Sequence, residues 1–101
     1  QVLQSINAIE SIIPSNEKSF SVAIYPNPTQ DLTTVELKGY EYNDVEIIVH
    51  DELGKKLYSY KLRNAFGNSK VNVDMSRFEK GIYNYTIRFN KESQHFKVIK
   101  K

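Results

Sequence analysis

The residues able to do chemistry in this chain of 101 are few and scattered. His50 and His95 lie far apart in sequence, and neither has a carboxylate or cysteine at ligand spacing, so they do not read as a metal pair. There is no cysteine, which excludes thiolate metal sites, disulfides and cysteine nucleophiles together. No glycine-rich phosphate loop occurs, nor a serine on a strained turn, nor a close pair of carboxylates framed by a pocket-sized insertion. The expectation is a domain that is not an enzyme and that needs no cofactor and no metal. Asn84-Tyr85-Thr86 matches the N-glycosylation sequon, but it falls inside a predicted strand and reads as chance.

Charge and length narrow the classes further. A formal charge of +2 is too mild to argue for nucleic acid, because basic and acidic residues are interleaved along most of the chain. The end is different: Lys91, Lys97, Lys100 and Lys101 face only Glu92. No apolar run approaches the length of a membrane span, and the beginning lacks the basic start and apolar stretch of a signal peptide. The chain is therefore expected to be either cytoplasmic or the tail of a longer precursor. Its length fits one domain with a small core held by packing alone.

What positions these residues is a set of short strands. Tyr25-Pro26-Asn27-Pro28-Thr29 must end a strand and turn, since each proline fixes its own φ and biases its predecessor toward an extended form. Before it, Val2, Leu3, Ile6, Ile9, Ile12 and Ile13 recur at near-helical spacing up to Pro14, and Pro14 to Ser19 reads as a polar linker. Residues 1–18 are assigned to a linker or to the end of an upstream region, and 19–101 to one domain. From Phe20 onward the period is two. Val22 and Ile24, then Val35 and Leu37, then Val45, Ile47 and Val49 form inner faces, and Asp51 to Lys55 is a hairpin turn with Gly54 supplying positive φ. Leu57 has opposite parity to Tyr58, Tyr60 and Leu62, which predicts a bulge or a strand buried on both sides. Asn64 to Ser69 is read as a loop, Ser76 to Gly81 as a turn with Phe78 capping the core, and Asn90 to Ser93 as a turn. Val73, then Tyr83, Tyr85 and Ile87, complete the inner face, and His95 to Lys100 is the last strand. About seven strands without helices suggest an all-β fold, an immunoglobulin-like antiparallel β-sandwich.

Four stretches, in order, resemble the type A C-terminal sorting domain of the type IX (Por) secretion system: Tyr25-Pro26-Asn27-Pro28; the strand from Val45 closing on Gly54-Lys55; Val73-Asp74-Met75-Ser76 followed by Gly81-Ile82-Tyr83; and Lys97-Val98-Ile99-Lys100. Lys101 is one residue beyond the usual terminal lysine. The resemblance implies a sorting signal attached behind a cargo domain. The implied partners are the secretion machinery, namely an outer-membrane translocon, carrier proteins and a sortase-like peptidase that commonly removes the domain. It also implies export through the periplasm to the cell surface or medium.

Each motif has a blander reading. The prolines need only end a strand, Gly54 and Gly81 are backbone requirements, and Tyr83 and Tyr85 are core residues whose hydroxyls reach a rim partner. The lysines near the end would be a solvated strand edge that discourages aggregation. Tyr40, Tyr42, Tyr58 and Tyr60 could line a sugar-binding surface, which, without tryptophan, supports only the alternative of a carbohydrate- or protein-binding accessory module.

Overall fold

Alternation of apolar and polar side chains puts one face of each segment on the core and the other toward water, and most described strand residues obey it, with Ile48 and Thr86 buried on the opposite face as well. The computed structural model describes residues 21–101, except for the side chains of residues 40–43. The near-helical stretch before Pro14, the linker to Ser19 and the side chains of Tyr40 and Tyr42 lie outside the described residues. Among the described residues five antiparallel strands form one curled sheet: β1 (Ser21–Tyr25), β2 (Leu32–His50), β3 (Lys56–Asp74), β4 (Gly81–Phe89) and β5 (Glu92–Lys100). Their order is β1-β2-β4-β5, and β3 lies along the other edge of β2.

The count departs from seven because two expected loops are not loops. β2 and β3 each run for 19 residues, straight through the polar stretches at 39–44 and 64–69. Those stretches pair with each other, Tyr40 opposite Gly67 and Asn43 opposite Ala65, with register shifts between the pairs. Asp44 adds to this, since its Oδ1 accepts from the Asn64 N–H at 3.0 Å. Polar backbone that would otherwise need water is thus satisfied across the hairpin. The irregularities concentrate bending there, with Gly39, Asn64 and Gly67 all at positive φ.

The bend divides β2 in two. Its first half pairs with β1 and with residues 69–74 of β3; its second half pairs with β4 and with residues 56–62 of β3. The sheet curls so that both halves share one core, in which Val35, Leu37, Val45, Ile47, Val49, Val73, Tyr83, Tyr85 and Ile87 are all buried, as their parity predicts. Met75 and Val98 join them, and Phe78 packs against the cluster. One polar tie crosses it: Thr33 Oγ1 and the Tyr85 hydroxyl share a hydrogen bond of 2.6 Å, and that hydroxyl also donates to Met75 Sδ at 3.1 Å.

Two details of the ladder refine the reading of the sequence. Val49 faces Tyr58 while His50 faces Lys56, which leaves Leu57 as the extra residue of a bulge and lets it pack against the core. Asn90, at φ 53°, closes a two-residue turn, so β5 begins at Glu92 rather than at His95.

Candidate functional site

The proline turn does more than end β1. Asn27 Nδ2 donates to the Lys97 carbonyl at 2.8 Å, and the Ile99 N–H donates to Asn27 Oδ1 at 2.9 Å. A carboxamide carries one acceptor and a donor at the spacing of a peptide group, so this side chain pairs with β5 as a strand residue would. The backbone of Thr29 continues the pairing: its N–H donates to the Ile99 carbonyl and its carbonyl accepts from the Lys101 N–H, both at 2.8 Å. Thr29 runs parallel to Lys100 here and is itself buried, its hydroxyl donating to the Leu32 carbonyl at 2.7 Å. Tyr25-Pro26 and Asn27-Pro28 are both cis. Tyr25 is exposed, its hydroxyl donating to Glu36 Oε1 at 3.1 Å.

At the same end of the sheet the two other turns form a cleft. Asp51 builds the first, its Oδ1 accepting from the N–H groups of Leu53 and Lys55 at 2.9 Å each, while Gly54 takes φ +87°. No Cβ clash would arise at Gly54, so the requirement is conformational. The second turn is built by Asp74, whose Oδ1 accepts from the Ser76 N–H at 2.9 Å. That backbone bond, then the Ser76 hydroxyl and the Arg77 charge, holds the carboxyl below the usual range. An Asp-apolar-Ser run is therefore a turn-forming device. Between the turns lies an open cleft of about 420 Å³, with Lys55, Leu57, Phe78, Gly81 and Tyr83 among its lining residues. Tyr83 is buried, its ring centroid 5.3 Å from that of Phe78 and its hydroxyl donating to the Glu79 carbonyl at 2.5 Å. Burial raises its phenol, helped by the carboxylates of Glu79, Asp51 and Glu52, so it remains a donor.

Clamp and cleft adjoin, because Gly81 pairs with Lys100 and Tyr83 with Val98. Tyr25 to Pro28, Gly54-Lys55, Gly81 to Tyr83 and Lys97 to Lys100 thus gather at one end of the molecule, while the strand from Val45 runs toward it from the other. The lysines separate, however. Lys97 and Lys101 are exposed, whereas Lys100 falls on the inner face and is buried at 8% exposure. The expectation of a uniformly hydrated lysine edge is corrected on that point: the parity that buries Val98 buries Lys100 two residues later. Tyr58 is half-buried against the core, which removes it from an exposed aromatic surface. Among the described residues no three His, Asp or Glu gather at metal-binding spacing.

A family model described as the secretion system C-terminal sorting domain matches residues 23–101. The chain belongs to this family. It carries a C-terminal type IX secretion sorting signal, which directs a cargo handled by that machinery to the cell surface or medium. No curated protein matches the chain. The match begins within β1 and takes in both the clamp and the cleft.

Proposed function

We propose that the sorting domain acts as a folded signal, read at the end where clamp and cleft meet. The observation that carries this is the Asn27 clamp: two sequence stretches 70 residues apart become one surface only when the sheet has closed. In this reading the curled sheet is a variant of the immunoglobulin-like sandwich. A carrier engages it in the periplasm after Sec export, and an outer-membrane translocon passes the cargo outward. A sortase-like peptidase then cuts at or upstream of Pro14 to Ser19. Lys97, Lys101, Lys55 and the rim around Tyr83 supply side chains for the carrier, while Pro26, Asn27, Pro28, Gly54, Gly81 and the stem of Lys100 hold that surface in shape.

A Sec-exported reporter fused ahead of residues 1–101 tests this in a host with type IX secretion. The fusion should reach the surface or medium, and the reporter alone should stay in the periplasm. Mass spectrometry of the exported product should find its new end within or before residues 14–19. A fusion that stays in the periplasm would falsify the sorting reading, and a product that keeps the intact domain would overturn its removal.

A further inference from the structure

The clamp covers only part of the outer edge of β5. In an antiparallel strand the N–H and C=O of alternate residues point to the same side. Lys97 O, Ile99 N, Ile99 O and Lys101 N all point away from β4, toward Asn27 and Thr29. The same parity turns the backbone groups of Ser93 and His95, and the N–H of Lys97, outward as well. Among the described residues β5 pairs with no strand but β4. The stretch is bounded at one end by the Asn90-Lys91 turn and at the other by the Asn27 carboxamide, which leaves it room for a short extended segment.

We infer that Ser93 to Lys97 is a strand-addition site, taking an extended segment of a carrier protein that is acidic toward one face of the sheet and apolar toward the other. The proposal rests on the sorting reading and adds to it how the carrier is held. The side chains of His95 and Lys97 stand exposed on the outer face; on the inner face, Gln94 and Phe96 are half-buried, with Phe96 packed against the core. With Lys91 at the turn and Lys101 beyond the clamp, the rail carries three exposed lysines, and Glu92 is the one acid in the stretch 91–101. An incoming strand gains main-chain hydrogen bonds from the edge, charge complementarity from its acidic side chains and an apolar contact at Phe96.

Proline separates edge from side chain. At residues whose N–H points outward it deletes the donor without touching the β4 ladder. In the reporter fusion to the full chain, His95→Pro and Ser93→Pro should each lower export by about tenfold, the scale of one lost main-chain hydrogen bond. His95→Ala and Ser93→Ala, which keep the N–H, should export as the parent does. Proline variants that export normally, or alanine variants that fall as far, overturn the proposal. If one proline variant fails to melt cooperatively, the other decides. Amide exchange on the unmodified 101-residue chain decides independently of any variant: Ser93 and His95 should exchange fast while Ile99 and Lys101 are protected. Protection at Ser93 and His95 in the isolated chain means that the edge is already covered, which overturns the proposal; if sedimentation then shows dimers, the occupant is a second copy. Failure of the unmodified fusion to export counts against the sorting reading alone, since exchange still reports on the edge.

Discussion

At the scale of single residues, the hydroxyl of Tyr85 is the most exacting group in the core. Burial pushes its phenol up to about 12, against a smaller opposing effect of the Thr33 hydrogen bond and a small contribution from Tyr58. A phenol harder to ionise in the folded than in the unfolded chain gives stability that is complete below the unfolded value of 10 and lost as pH rises through the folded one. Denaturant midpoints should therefore hold up to about pH 10 and fall between there and about 12, and Tyr85→Phe should remove that part of the fall. The same pair suits a double-mutant cycle. Tyr85→Phe leaves the buried Thr33 hydroxyl without its partner and should cost about 1–3 kcal/mol, as should Thr33→Val, but the double variant should cost clearly less than the two together. Lysines give a contrast of another kind. Lys97→Ala should change stability by less than about 0.5 kcal/mol, whereas Lys100→Ala strips packing from a buried stem and should cost about 1 kcal/mol or more. Equal effects in chemical denaturation would contradict the inward placement of Lys100.

At the scale of elements, strand faces were legible and strand limits were not. A two-residue period exposes the inner face directly, so Ile47 and Ile87, both fully buried, could be read off, and truncating either to Ala should cost about 2–5 kcal/mol by equilibrium unfolding. The polar stretches at 39–44 and 64–69 gave no such signal. They look like loops because their residues favour turns, and they are strand because each satisfies the other across a hairpin, a relation that no local window contains. The Leu57 bulge was legible for the opposite reason, since a parity break is itself local. The Asn27 clamp escaped because its partners are 70 residues away; the prolines announced a turn but not what the turn touches. Asn27→Ala should cost about 1–2 kcal/mol through its two lost hydrogen bonds and speed amide exchange at Ile99 well beyond the effect on core amides. A uniform change across the sheet would mean that Asn27 only ends β1.

At the scale of the whole molecule, closure depends on strands from both ends of the described chain. β5 contributes Val98 to the core, and the turn after β1 then seals its edge. Removal of Val98 to Lys101 deletes both contributions, and the shortened chain should lose its cooperative melt as well as its export, with calorimetry as the check. Retention of a sharp transition would show that the sheet closes without residues 98–101. There is also a consequence in time. A contact spanning 70 residues closes a long loop, whose entropic cost delays it behind the hairpins of the middle strands. Synthesis presents residues 97–101 after the other described strands. The latch therefore shuts on arrival of those residues and not before, so a prematurely ended product, however well its earlier strands had paired, lacks that closure.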